Sequence, residues 1–239
     1  MSERISSIWV YLAATPLLWL TLTVAIYWLA SEVAQRLGAP PVANPVLMAI
    51  VALVGLLLLT GTPYETYFAG AQFVHFMLGP ATVALAVPLY LASDKLRRVL
   101  VPALVALLVG SATGIGSAVL LARLLGVSEL VTLSLAPKSI TTPIAMGISA
   151  QIGGLPSLTA VLVILTGMVG AIVGNDSLNL LRVRDQSVRG FAMGLAAHGL
   201  GTARALQLNA EAGAFAGLAM GLNGAMTALL VPILIPLLT

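Results

Sequence analysis

The chain contains no cysteine and very little charge. Without thiols, disulfides and thiolate metal sites are excluded, and cysteine usage says nothing about redox compartment. Charged residues make up 8% of the 239 positions, against about 25% in an ordinary soluble domain. Other absences narrow the chemistry. There is no His-x-x-x-His pair, no pair of carboxylates within one helical turn, no Walker loop and no nucleophile elbow. ATP-driven work, hydrolysis and metal chemistry have no support here. No enzymatic activity, cofactor or metal is expected. The net charge of +3 comes from loops beside apolar segments, which reflects orientation in a membrane rather than nucleic-acid binding.

What is present is apolar surface. Hydrophobic residues make up 59% of the chain, with a mean hydropathy of +1.06. One globular core cannot hide that much. The sequence predicts an all-α, polytopic integral membrane protein, one membrane domain over residues 1–239. The length allows roughly 7 to 9 passes. The first apolar run, Ile8 to Ala30, lacks a small-residue cleavage site and reads as a mature span. Trp9, Tyr11, Trp19, Tyr27 and Trp28 lie on it, several near its ends, as interfacial anchors do. Further spans are expected over Val46–Leu59, Val99–Leu125, Leu155–Leu181 and Ala212–Leu238. The small residues Gly110 to Ser117 read as a close helix contact, with packing favoured over chemistry.

Three segments do not read as plain spans. The most costly is Leu135 to Ile144, which places one lysine, three hydroxyls and two prolines inside a hydrophobic run. Each proline removes a backbone donor and frees a carbonyl one turn back. In lipid, protein or a ligand must satisfy such groups. A break is therefore predicted near 136–143. The first amides of the following half-helix carry partial positive charge and hold anions. Ser139, Thr141 and Thr142 can donate to a carboxylate, and Lys138 adds a full charge. The bland alternative is that the hydroxyls only cap the break and the lysine snorkels. A second break is predicted near 197–204, where Gly199 and Gly201 permit unwinding. There Thr202 can cap a new half-helix, Arg204 can bind a carboxylate bidentately, and His198 can carry a proton. A third lies near 78–82, where Leu78-Gly79-Pro80-Ala81-Thr82-Val83 aligns with Leu135-Ala136-Pro137-Lys138-Ser139-Ile140. Thr82 then matches Ser139. Asn223, between Gly221 and Gly224, is a candidate cavity residue. Asn175 and Asp176 read as a helix cap more readily than as a cation site.

Charge placement tests topology. Lys95, Arg97 and Arg98 mark one cytoplasmic loop, and Arg182, Arg184 and Arg189 another. An even number of crossings must separate them. The economical solution is that Glu129 to Gly154 enters and returns as a re-entrant hairpin around Pro137 to Pro143.

At these motifs the sequence resembles a known family. The runs Leu78 to Tyr90, Ala136 to Met146, Gly153 to Ala160 and Ala197 to Ala203 are similar to the LrgB/CidB signature, and the likeness extends from about Val46 onward. The resemblance implies a multi-pass protein of the bacterial inner membrane. Members were first described as holin-like or antiholin-like modulators of murein hydrolase activity and cell lysis, usually beside a smaller LrgA/CidA-type partner. The family also includes the C-terminal half of the plastidial glycolate/glycerate translocator, whose extra N-terminal half is not expected here. Taken with the broken segments, this implies a secondary carrier of a small organic anion. The substrate would be a monocarboxylate of the glycolate, glycerate or pyruvate type, with a coupling proton or sodium. The binding set would be Lys138, Ser139, Thr141, Thr142, His198, Gly199, Thr202, Arg204, Thr82 and Asn223. An elevator-like motion and a homodimer follow only by analogy. The lysis regulator stands as the alternative.

Overall fold

The structure is a computed structural model that describes residues 15–38, 43–77, 80, 83, 84, 86–91 and 93–238. These residues are mostly helical and contain no strand. They fall into two compact units, residues 1–84 and 85–239. Thr82 and the expected break near 78–82 lie outside the described residues, as do Trp9 and Tyr11.

The first unit is built from α1 (Pro16–Arg36), α2 (Pro45–Thr60) and α3 (Tyr64–Phe76). Proline at the first helical position starts α1 and α2, where its missing N–H costs nothing. Asn44 caps α2 by accepting from the amides of Val46 (2.9 Å) and Leu47 (3.3 Å). Trp19, in the middle of the first apolar run, is not one of the anchoring aromatics: it is fully buried, at 0% exposure, and meets Tyr67 edge to face with ring centroids 5.9 Å apart. Gly70 permits this approach, since a Cβ there would crowd Trp19. Tyr27 and Trp28 do face outward.

The second unit holds α4 (Ala86–Leu91), α5 (Ser93–Leu124), α6 (Glu129–Leu135), α7 (Thr142–Gln151), α8 (Pro156–Leu180), α9 (Gln186–Leu208) and α10 (Ala210–Leu238). Among the described residues, four helices are long and apolar enough to cross a membrane: α1, the Arg97–Leu124 part of α5, α8 and α10. That is fewer than the length alone allows, because several apolar runs are short or interrupted. α6 and α7 rise only about 10 and 15 Å against a hydrocarbon core of about 30 Å.

These two short helices form the expected hairpin. The Thr159 hydroxyl of α8 lies within hydrogen-bond distance of the Ser134 carbonyl (2.9 Å) at the end of α6 and of the Ser149 hydroxyl (2.7 Å) near the end of α7. The Leu155 amide donates to the Ser134 hydroxyl (2.8 Å). The chain thus runs along α6, turns at 136–141 and comes back along α7 to the level of Ser134. An independent contact agrees. The Lys95 ammonium, just ahead of the α5 span, lies 2.8 Å from Asp185 and 2.9 Å from Glu211. Both basic loops therefore sit at one end of this unit, as the charge pattern requires.

α9 and α10 pack closest. A Cβ on Gly190 or Gly194 would fall on the carbonyl oxygen of Ala212 or Ala216. This small-x-x-x-small seam brings backbones together where apolar side chains gain nothing by leaving lipid. Asn209 turns the chain between the two helices, accepting from Glu211 (2.9 Å) and Ala212 (3.1 Å).

Candidate functional site

The first break is short and firmly seated. Pro137 and Ile140 are fully buried. Ile140 and Ala136 join a core with Ile115, Val119, Val163 and Val231. Apolar anchors on either side fix the two residues between them. Lys138 and Ser139 are half-buried, and they line a cavity of about 320 Å³ together with Gly110, Ser111, Thr113 and Asn223. Lys138 is the one charged residue on that lining. Its ammonium reaches the Ser139 hydroxyl (3.4 Å) and has no carboxylate partner among the described residues.

Asn223 of α10 organises the cavity. Its amide nitrogen donates to the Leu195 carbonyl (2.8 Å) and the Ser139 carbonyl (3.3 Å). Its oxygen accepts from the Ser111 hydroxyl (2.6 Å) and the Thr227 hydroxyl (3.3 Å). A helix interruption leaves the carbonyls ahead of it without their own donors. Ser139 lies in the first interruption. Leu195 sits two residues before the second. One buried amide therefore serves a freed carbonyl from each break and ties both to α5. All four of its bonding positions are filled.

The second break falls at the start of the predicted 197–204 stretch, but not on its glycines. The non-helical residues are Ala197 and His198, and His198 takes φ +39°, ψ −129°. Gly199 and Gly201 do not carry the unusual backbone. The cause is tertiary: His198 Nε2–H donates across to the Val163 carbonyl of α8 (2.9 Å). Gly167 makes room, since a Cβ there would crowd the imidazole. Thr202 does not cap a new half-helix either; its hydroxyl donates to the His198 carbonyl one turn back (2.8 Å).

Of the residues singled out by sequence, the cavity brings together Lys138, Ser139 and Asn223. Thr141 and Thr142 open α7 with no side-chain cap bond and do not line the cavity. His198, Gly199 and Thr202 stand at the second break, outside that lining. Arg204 is further along α9 and donates to Gln207 (3.4 Å). Asn175 lies inside α8 rather than at its end and receives the Arg189 guanidinium, which also bonds Asn179 (2.9 Å) and the Val183 carbonyl (2.7 Å). Ser111 was missed as a site residue. A hydroxyl among glycines reads as packing, and its partner is 112 residues away. No cluster of His, Cys, Asp and Glu fit to hold a metal occurs among the described residues.

Comparison with known proteins agrees with these motifs. The model of the LrgB-like family matches residues 23–237. The chain is 41% identical over 217 residues to the uncharacterized protein YwbG of Bacillus subtilis, covering 90% of this chain and 96% of that protein. It is 32% identical over 219 residues to the holin-like protein CidB of Staphylococcus aureus, covering 92% and 95%. The holin-like protein CidB of Staphylococcus epidermidis is 31% identical over 218 residues, covering 91% and 95%. No solved structure matches. Four apolar helices of spanning length, two interrupted helices sharing one buried amide and a family match over nearly the whole chain point the same way: this multi-pass membrane protein belongs to the LrgB-like family.

Proposed function

We propose that this protein is a holin-like membrane regulator of murein hydrolase activity and lysis, and that it acts by passing a small organic anion through a gated site rather than by opening a wide pore. The first half rests on the family and on the holin-like staphylococcal relatives. These back the lysis-regulator alternative better than any particular carried solute.

The second half is the finer reading: a secondary carrier of a small 2-hydroxy or 2-oxo monocarboxylate, of the glycolate, glycerate or pyruvate type. The observation that carries it is the Lys138 ammonium, without a carboxylate partner among the described residues, on a cavity of about 320 Å³ whose described lining has no acid. A cation in a low-dielectric site needs a counter-charge. An anionic substrate supplies one, and Ser139 adds a donor. Thr141, Thr142 and the first amides of α7 offer further donors once the break moves. His198 would carry the coupled proton if protons drive the cycle, with sodium the other driver. Gly199, Thr202 and Arg204 would form the far wall at the second break. Asn223, holding both breaks, would set their spacing. Alternating access would move the interrupted helices against α5 and α8. A homodimer with elevator-like motion, and an LrgA/CidA-type small partner, belong to the same proposal.

Counterflow of radiolabelled glycolate in proteoliposomes tests it. Label should accumulate against unlabelled glycolate, glycerate or pyruvate and saturate. Lys138→Ala or Ser139→Ala should abolish saturation while the protein still elutes as a folded species. Non-saturable leak of label, indifferent to Lys138→Ala, would sink the carrier half and leave the regulator half standing.

A further inference from the structure

A second cavity lies away from the first. It has a volume of about 500 Å³ and sits where the α8 span ends and the α9–α10 pair begins. Three arginines, Arg182, Arg184 and Arg189, line its rim, and no Asp or Glu does. Met193, Ala205 and Leu208 form an apolar floor.

The three guanidiniums are not equivalent. Arg189 is committed to Asn175, Asn179 and the Val183 carbonyl, so it is a fixed post. Arg182 and Arg184 are exposed, and their side chains have no hydrogen-bond or ion-pair partner among the described residues. Of the nearby acids, Asp185 and Glu211 both bind Lys95, and Asp176 neither lines the cavity nor forms an ion pair with its arginines among the described residues. Arg182 also holds φ +56°, in the left-handed region that a long side chain rarely adopts. The rim thus keeps uncompensated, bidentate-capable donors beside an apolar trough.

We propose that this cavity binds the phosphodiester headgroup of an anionic phospholipid, with an acyl chain along the floor. The chemistry on the rim is that of any phosphate, but the surroundings favour a lipid. Leu208 lines the cavity and is 45% exposed, and Leu180 and Leu181, which directly precede Arg182 in the chain, are 84% and 71% exposed. Exposed apolar side chains thus adjoin the basic rim in sequence, as an acyl chain requires. Basic pockets between helix ends at the cytoplasmic surface suit such headgroups, and arginine suits their planar, bidentate geometry. The inference is independent of the carried solute.

The full chain in neutral detergent is titrated with dioleoylphosphatidylglycerol, read by native mass spectrometry and by melting temperature. Dioleoylphosphatidylcholine, with the same tails, and inorganic phosphate with glycerol phosphate serve as comparison arms. Phosphatidylglycerol should give one saturable adduct and a rise in melting temperature; neither comparison arm should. Arg182→Gln/Arg184→Gln should bind phosphatidylglycerol roughly thirtyfold more weakly, the product of two basic contacts. Because both side chains are exposed, its lipid-free melting should match the parent. Arg182→Lys/Arg184→Lys should recover part of the affinity, while Arg97→Gln/Arg98→Gln, on the other basic loop, should change nothing. Unchanged binding by the Gln double variant, or equal loss in Arg97→Gln/Arg98→Gln, overturns the site. Equal stabilisation by the soluble phosphates overturns the lipid.

Discussion

Asn223→Ala is the sharpest test of how the site is held. The substitution removes two short hydrogen bonds, to Ser111 (2.6 Å) and the Leu195 carbonyl (2.8 Å), and two longer ones of 3.3 Å to Ser139 and Thr227. Hydrogen bonds between membrane helices average about 0.6 kcal/mol, with a maximum near 1.7. Leaving a buried group without a partner costs about 1 to 3 kcal/mol more. The Ser111 and Thr227 hydroxyls can turn to carbonyls of their own helices. The Leu195 and Ser139 carbonyls have no such recourse, because each lies at an interruption. Two lost bonds and two stranded carbonyls sum to about 3 to 7 kcal/mol, or a fall of roughly 6 to 28 °C in melting temperature for a chain of this size. Thermal unfolding of the purified protein measures it. Thr166→Val is the control: that hydroxyl bonds only the Leu162 carbonyl of its own helix (2.8 Å) and should be near neutral. A Ser111→Ala/Asn223→Ala double-mutant cycle should show coupling of about 0.5 to 2 kcal/mol. An Asn223→Ala melting point indistinguishable from the parent, or a cycle without coupling, would refute the bridging role.

Other outcomes follow from the same geometry. Gly190→Val and Gly194→Val should each destabilise by about 2 kcal/mol or more, since a Cβ there meets backbone of α10. Gly116→Ala and Gly221→Ala, with nothing within 4 Å, should be neutral or gain about 0.5 to 1 kcal/mol; equal losses in both pairs on chemical unfolding would dismiss the seam. His198→Gly and His198→Ala both lose the bond to Val163, but glycine tolerates φ +39°, so His198→Gly should be the more stable by about 1 kcal/mol. Identical melting would show that the backbone there stores no strain. The Lys95 clasp gives a pH dependence. Hydrogen bonds from Lys95 and Ser187 hold the Asp185 carboxyl below the usual carboxylate range, and its bonds to Asp185 and Glu211 raise the Lys95 ammonium above its ordinary value. The stability Asp185 contributes is present above about pH 4 and lost as pH falls below that. The Lys95 contribution is present below about pH 10.5 and lost as pH rises further. Melting of Lys95→Ala should therefore fall less steeply than the parent between about pH 5 and 3. Parallel curves would mean the clasp contributes nothing.

The first interruption was legible from residues alone. Two prolines and a lysine in an apolar run cannot continue a helix or face lipid, whatever surrounds them, so the break at 136–141 follows from local chemistry. The hairpin was legible from charge parity. Lys95 and Arg184 must share a side, and the Lys95–Asp185 contact places both loops at one end. Tertiary structure decided the rest. An aromatic residue in an apolar helix reads the same whether it meets headgroups or packs on a neighbour; Gly70 and Tyr67 made Trp19 a core residue. The second interruption was expected at the flexible glycines Gly199 and Gly201, yet it formed at His198, because the carbonyl able to hold a strained backbone belongs to Val163 on another helix. The cavity needs Ser111, Ser139, Leu195 and Asn223, four residues far apart in the chain. Periodicity and composition report what each segment prefers; they do not report which freed carbonyl meets which amide. That pairing exists only once the helices have packed.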